Sequence, residues 1–158
     1  YMHRKSDAEL AAVYQPILRE HGIEVSDEVA GRAAGIMKER ASLITDLWDL
    51  TSFFFVAPTE YEEKQVRKYW KGDNPRILRE VRAVLEGIDD FSLENTERIV
   101  HGWIEEKGYS MGQVMNTLRL ALVGAGKGPG MYDVTSFIGK QETLRRIDNL
   151  LERLQPAE

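Results

Sequence analysis

The stretch from residue 110 to residue 151 constrains the fold most strongly, because helix-start and helix-stop signals follow one another closely along it. It reads SMGQVMNTLRLALVGAGKGPGMYDVTSFIGKQETLRRIDNLL. Ser110, with a glutamine three residues later, is typical of a capping box, and Gly124 suits the left-handed residue that ends a helix. Pro129 favours the first position of a new helix, which Gly139 is expected to end. The stretch therefore predicts a helix, a glycine-rich loop, a short helix and a final basic helix.

Apolar residues repeat at intervals of three and four in both long segments of this stretch, as they do on the buried face of a helix. The face predicted to turn inward on the first helix comprises Met111, Val114, Met115, Leu118 and Leu122. On the last helix the inward residues are Leu144, Ile147, Leu151 and Leu154, with Arg145, Arg146 and Arg153 directed outward. The pattern predicts packed helices with a charged outer surface.

The earlier part of the chain shows the same helical pattern. Ser6, Ser26 and Ser92 each precede an apolar run with helical spacing, as N-caps do, and Pro16 is expected to kink or break the first helix. The aromatic residues 53–55 continue a periodic run that starts at position 43. We interpret them as core residues rather than a base-stacking platform, because three adjacent side chains cannot share one helical face.

A polar segment in the middle of the chain predicts a division between two parts. Residues 61–70 read as a surface helix, and a linker follows before a helix that Asn74 is predicted to cap, with Pro75 at its first position. The inward face predicted for that helix comprises Ile77, Leu78, Val81 and Leu85. No apolar run is flanked as a hairpin would be. The predicted fold class is therefore all-α, with two small helical subdomains, 1–72 and 73–158.

The composition is that of an ordinary globular protein, with 42% hydrophobic and 30% charged residues. The chain has no cysteine, which excludes disulfides and thiolate chemistry, and no apolar run approaches the length of a membrane span. The formal net charge of −5 argues against nonspecific nucleic-acid binding. The charge is uneven, since residues 41–109 carry nine basic and fourteen acidic side chains whereas residues 110–158 carry six and five. A selective RNA contact confined to a few residues is compatible with this distribution.

The glycine-rich loop GAGKGPG is the first candidate for function. Lys127 lies there in a backbone nearly free of side chains, beside a helix start whose N–H groups can receive an anion or a base edge. Gly112, Asn116 and Arg119 fall on a polar flank of the preceding helix, where they could position a nucleotide. A tight connection between two helices, without any ligand, is the alternative. The loop residues alone leave both interpretations open.

Residues that carry catalysis do not cluster in the sequence. His3, His21 and His101 are far apart, and none has a second ligand at metal-binding helical spacing. The acidic pairs lie in polar surface segments, where solvated faces are the ordinary interpretation. GAGKGPG does not meet the Walker spacing of a phosphate loop. Taken by themselves, the residues predict no metal site and no self-contained enzyme, but an all-helical binding or interaction module.

Several short motifs nevertheless carry a family resemblance. They are MGQ at 111–113, LR at 118–119, AL at 121–122 with a glycine at 124, PG at 129–130, IGK at 138–140 and RR at 145–146. In this order they resemble the end of bacterial glutamyl-tRNA synthetases. The upstream segments KERASLITDLWDLTSFFF and KSDAELAAVYQPIL are similar to earlier parts of the same region, so the resemblance covers nearly the whole chain. Thr117 departs from the family pattern, which often has a proline before the leucine–arginine pair, and is expected to leave the helix straighter.

The resemblance implies the C-terminal anticodon-binding domain of a class I aminoacyl-tRNA synthetase, a helix cage that docks on the anticodon loop of the glutamate tRNA. It implies a monomeric, cytoplasmic parent enzyme whose catalytic domain precedes residue 1 and uses ATP with magnesium to attach glutamate. This chain would bind tRNA without catalysing that reaction and would hold no cofactor or metal. The anticodon-binding residues that the motif matches imply are Arg40, Arg119, Gly128 and Met131. Asn116 and Lys127, the candidates from the polar flank and the loop, complete the predicted set.

Two other interpretations stay open at this point. Arg40 could be a cation at a helix C-terminus that interacts with the helix dipole, a common surface role. The acidic middle of the chain could bind a basic partner, which would make the chain a helical protein-interaction module with no nucleic-acid role.

Overall fold

The structure is a computed structural model, and it describes residues 6–40 and 46–154. All regular elements within these two ranges are helical, which confirms the predicted all-α class. The α-helices are α1 (Asp7–Glu20), α2 (Asp27–Met37), α3 (Asp46–Thr51), α4 (Glu63–Tyr69), α5 (Asn74–Glu86), α6 (Leu93–Lys107), α7 (Met111–Leu122) and α8 (Met131–Arg153). Short 3₁₀ turns follow α2 at Lys38–Arg40 and α3 at Ser52–Phe54.

Two compact units make up the chain, Tyr1–Val56 and Ala57–Glu158. The division predicted near residue 72 falls inside the second unit. The segment before it belongs there because the N–H of Glu62 donates to the carbonyl of Gly124 at 2.8 Å and the Trp70 indole donates to the carbonyl of Leu154 at 2.8 Å. The functional subdomains 1–72 and 73–158 stay a prediction.

In the first unit, α1 packs against α2. The predicted capping box is present, since the Ser6 hydroxyl accepts from the N–H of Glu9 at 3.2 Å and the Glu9 carboxylate accepts from the N–H of Ser6. The helix does not break at Pro16, because α1 continues through it to Glu20, and the alternative expectation of a kink stays a prediction. Tyr14 and Leu18 on either side of the proline are fully buried, and this packing offsets the one missing helical hydrogen bond.

The aromatic segment after α3 enters the core of the first unit only in part, since Phe53 and Phe55 are half-buried. Phe54 is buried, and the ring of Phe55 lies 6.5 Å from the ring of Tyr14. The helix predicted over this run ends earlier than expected, because α3 gives way to a 3₁₀ turn at residue 52; the predicted residues Leu43 and Ile44 lie outside the described residues. Burial raises the pKa of Tyr14 to about 12, although its hydroxyl bonds to Thr51. The phenol is therefore neutral at physiological pH.

In the second unit, α5 and α7 pack against α8. All four residues predicted to face inward on α5 are buried. The predicted N-cap role of Asn74 is wrong, because Asn74 is already the first residue of α5 and its amide donates instead to the carbonyl of Tyr69 at 2.5 Å. Ser92 caps α6 as predicted, and Gly108 ends that helix with a φ of +74°. These helices form the frame that holds the loop between α7 and α8.

Candidate nucleic-acid interface

Helix α7 leads into the glycine-rich loop, and it begins and ends largely as predicted. The Ser110 hydroxyl accepts from the N–H of Gln113 at 3.3 Å, and Gly124 adopts a left-handed φ of +79° directly after the helix. The reciprocal half of the capping box does not form, because the Gln113 amide donates to the side-chain oxygen of Asn74. Val114, Leu118 and Leu122 are buried, as expected, whereas Met111 and Met115 are half-buried. The buried face thereby orients the polar flank of α7 outward.

The first residue of the loop is held tightly from the α4 side. The carbonyl of Gly124 accepts the N–H of Glu62, and a Cβ at position 124 would lie 2.8 Å from both the carbonyl oxygen of Glu60 and the Cβ of Pro58. Real Cβ atoms do not approach backbone that closely, so only glycine fits. The loop is therefore anchored at its start, which its glycine content alone does not indicate.

Gly124→Ala is expected to lower the free energy of unfolding by about 2 kcal/mol, because it combines a left-handed backbone with a clash against backbone atoms. The matched control is Gly102→Ala in α6, where an added Cβ meets nothing within 4 Å. That control is expected to stabilise the chain by about 0.5–1 kcal/mol, since alanine favours a helix interior. Urea denaturation followed by circular dichroism measures both. Equal effects of the two substitutions would contradict the anchored loop.

Helix α8 begins two residues later than predicted. Pro129 is buried but precedes the helix, Gly130 is the N-cap, and Met131 is the first helical residue. Gly139 interrupts the helix with φ +83° and ψ 168°. The helical backbone predicted to end at Gly139 does end there, and α8 continues after a kink. The difference at Pro129 has a local reason: the carbonyl of Gly130, not of Pro129, accepts the first helical N–H groups.

Arg146 is the largest departure from the sequence-based expectation. It was predicted to point outward, yet it is 1% exposed. Its Nη1 donates to the carbonyl of Leu122, in the last turn of α7, at 2.8 Å, and its Nε donates to the Glu142 carboxylate at 2.7 Å. Burial lowers the pKa of Arg146, which the bond to Glu142 opposes. The side chain thus fixes the end of α7 from the side of α8.

A sequence signal for this buried arginine does exist. Glu142 and Arg146 stand four residues apart on α8, the spacing at which opposite charges meet on a helix. Hydrogen bonds from Arg145, and then from Arg146, hold the pKa of the Glu142 carboxyl below its usual range. Position 146 also lies beside the core positions 147 and 150. The spacing identifies the pair, but only the packing of α7 on α8 shows which arginine of the two is buried.

Arg119 and Lys127 come together at the exposed side of this loop. Nη1 of Arg119 donates to the backbone carbonyl of Lys127 at 3.4 Å, while the Lys127 side chain is exposed. Gly128 follows with a φ of +131°. Asn116 lies one turn before Arg119, and its amide donates to the carbonyl of Gly112 at 2.8 Å. The structure therefore groups four of the six predicted residues around the end of α7.

The other two predicted residues have different settings. Met131 is 3% exposed, so it belongs to the core rather than to the exposed surface of the loop. Arg40 is an exposed residue of the 3₁₀ turn after α2, in the first unit. Its position after the end of α2 is compatible with both roles considered for it, a cation that interacts with the helix dipole and a residue that binds the anticodon.

Several cations on α5 and α8 are already paired. A cleft of about 690 Å³ beside α8 contains several charged side chains. Nη2 of Arg82 donates to the Asp148 carboxylate at 2.9 Å, and Nζ of Lys140 donates to the carbonyls of Glu86 and Ile88. Over residues 6–40 and 46–154, no three metal-binding side chains gather into a possible ion site. The loop after α7 is the better candidate for a polyanion.

The fold and this loop together define an all-helical binding domain. A family model described as an anticodon binding domain matches residues 9–151. The chain belongs to this family, which confirms the resemblance found in its motifs. No helix within the described part of the chain has the length and apolar character needed to cross a membrane.

Curated relatives and solved structures agree with the family. The chain is 52% identical to the glutamate–tRNA ligase of Phocaeicola vulgatus and 50% identical to that of Bacteroides fragilis, over 98% of the chain. It is similar, with a TM-score of 0.92 and 37% identity over 98% of the chain, to a crystal structure of a glutamate tRNA ligase from Elizabethkingia meningosepticum in complex with its amino acid. The chain spans only 31% of the length of these three proteins.

Proposed function

We propose that this chain binds the anticodon loop of the glutamate tRNA, with the loop after α7 as the contact surface. The observation that carries the proposal is the hydrogen bond from Arg119 to the carbonyl of Lys127, which holds a guanidinium group against an anchored, glycine-rich backbone. Proteins read RNA sequence mainly in unstacked single-stranded loops, whose bases offer both edges and faces. A planar guanidinium can donate hydrogen bonds to a base edge and can stack on a base face.

The remaining site residues take distinct roles in this proposal. Lys127 places a positive charge on the exposed loop, and the small residue Gly128 leaves the backbone open to a base. Asn116 contributes from the flank of α7, and Met131, which is buried at the start of α8, supports the end of the loop from the core. Arg40 is a separate contact on the first unit.

The charge distribution supports a selective contact over a broad electrostatic one. The whole chain carries a formal charge of −5, which repels phosphate groups over much of the surface. Residues 110–158 carry six basic and five acidic side chains, so the proposed surface lies in the least acidic part. Most of the phosphate affinity of the parent enzyme would then come from its other domains.

The parent protein is, in this proposal, a monomeric glutamate–tRNA ligase of the cytoplasm, whose ATP and magnesium bind outside this chain. The identity to such ligases over nearly the entire chain supports the assignment. Among the described residues, the exposed large apolar side chain is Val56, at 45%, and a single exposed residue of this kind is ordinary on a monomer. Glutamate-dependent ATP–pyrophosphate exchange tests whether catalysis resides outside this chain. Activity is expected for the parent protein and none for the 158-residue chain alone.

An NMR titration tests the binding surface. The isotope-labelled chain is mixed with the anticodon stem-loop of the glutamate tRNA, and amide shifts are followed. The largest changes are expected at residues 119–131, while the amides of α6 serve as the internal control. Shifts centred elsewhere would contradict the proposed surface. Absence of any shift at moderate salt would favour the protein-interaction module instead.

A further inference from the structure

The side chain of Gln65 lies directly against the glycine-rich loop. A Cβ built on Gly126 would be 2.6 Å from Nε2 and 2.7 Å from Cδ of Gln65. An alanine at position 126 would therefore displace the Gln65 amide from this place. Helix α4 is also tied to the loop by the backbone bond from Glu62 to Gly124, so the amide is presented from a fixed support.

The Gln65 amide has unused hydrogen-bonding capacity. Its side-chain nitrogen and oxygen make no hydrogen bond to any other residue in the ranges 6–40 and 46–154, and the residue is half-buried. A primary amide offers two donors and an acceptor, and this combination matches the donor and acceptor pattern on base edges. Gly126 is followed at once by Lys127, whose carbonyl accepts from Arg119. The amide, the guanidinium and the lysine thus adjoin the same two-residue segment.

We propose that Gln65 is a further base-contacting residue of this surface, supplied by α4 and kept in place by the missing side chain of Gly126. The inference rests on the proposed anticodon binding and adds a specificity-determining group to it. Pairing of an amide with a base edge has a direction, so it selects among bases where a lysine does not. The alternative is a purely structural role, in which Gln65 only fills space beside the loop.

Two substitutions distinguish base contact from space filling, because they remove the same amide from the surface in different ways. Gln65→Ala deletes it, whereas Gly126→Ala keeps glutamine but displaces it with a new Cβ; Gly126 does not have a positive φ, so alanine suits its backbone. Each is expected to weaken binding of the glutamate tRNA by about tenfold, the equivalent of one or two lost hydrogen bonds. The double variant is expected to bind no more weakly than either single one. Gln141→Ala, an exposed glutamine on α8, is the matched control.

Gln65→Glu tests whether the amide donates hydrogen bonds. The substitution preserves the size of the side chain, removes both donors and adds a negative charge that phosphate groups repel, so it is expected to weaken binding at least as much as Gln65→Ala. Affinity within twofold of wild type for Gln65→Glu and Gln65→Ala, while Arg119→Ala weakens binding, would overturn the inference and leave the proposed function intact. Failure of the wild-type chain itself to bind the tRNA would overturn both.

Discussion

Arg146→Ala is expected to lower the free energy of unfolding of the second unit by about 3 kcal/mol. The substitution empties the volume of a large, fully buried side chain and leaves the Leu122 carbonyl without its donor. It also removes a charge partner of Glu142, but that carboxylate is 28% exposed and can take up water. The cost therefore comes mainly from the cavity and the unpaired carbonyl. Urea denaturation followed by circular dichroism measures it.

Arg145→Ala is the matched control for this prediction. Arg145 bonds to the same Glu142 carboxylate at 2.7 Å but is 60% exposed. Its removal is expected to change stability by no more than about 0.5 kcal/mol, as for other exposed ion pairs. Arg146→Met is expected to fall between the two, because it restores part of the apolar volume without the hydrogen bonds. If both alanine substitutions cost the same, Arg146 does not hold α7 and α8 together.

Arg119→Ala is expected to weaken binding of the glutamate tRNA by about ten- to a hundredfold, the range for loss of a base-contacting arginine. The guanidinium sits half-buried at the end of α7, against the Lys127 carbonyl, so it is oriented before the RNA arrives. Folding should change little, since no fully buried group is removed. Fluorescence anisotropy with labelled tRNA measures the affinity, and thermal melting verifies the fold.

The control for Arg119 is Arg79, an exposed arginine on α5 that forms no hydrogen bond or ion pair within the described residues. Arg79→Ala removes the same charge and is expected to change tRNA affinity by less than about twofold. Salt dependence adds a second criterion, because losing a phosphate contact lowers the salt slope equally for every tRNA, whereas losing a base contact lowers the discrimination between tRNAs. Equal losses for Arg119→Ala and Arg79→Ala would contradict the role given to Arg119.

Helices and caps could be predicted from sequence because their causes are local. A serine hydroxyl caps the N–H three residues later, as Ser6, Ser26 and Ser92 do, and a glycine ends a helix without help from distant residues. Asn74 shows the limit of such local rules. Its side chain could cap α5, but it bonds to Tyr69 and Gln113 because the packing of α7 brings that glutamine within reach.

The candidate site could be predicted only in part, for a related reason. Arg119 and Lys127 are close in sequence, one near the end of α7 and the other in the loop that follows, so their motifs indicate a common surface. The placement of Gln65 against Gly126 depends on how α4 packs on α7, which no local pattern encodes. The burial of Arg146 and Met131 likewise depends on tertiary packing, since arginine pairs and helix starts are usually exposed.

The most direct test of anticodon recognition is to titrate the chain with the glutamate tRNA and with the same tRNA carrying one substituted anticodon base. We expect the substituted tRNA to bind at least about tenfold more weakly, since a mismatched base contact costs about 1–3 kcal/mol. In the Arg119→Ala variant this difference is expected to shrink. Equal affinity of the wild-type chain for both tRNAs would contradict anticodon recognition.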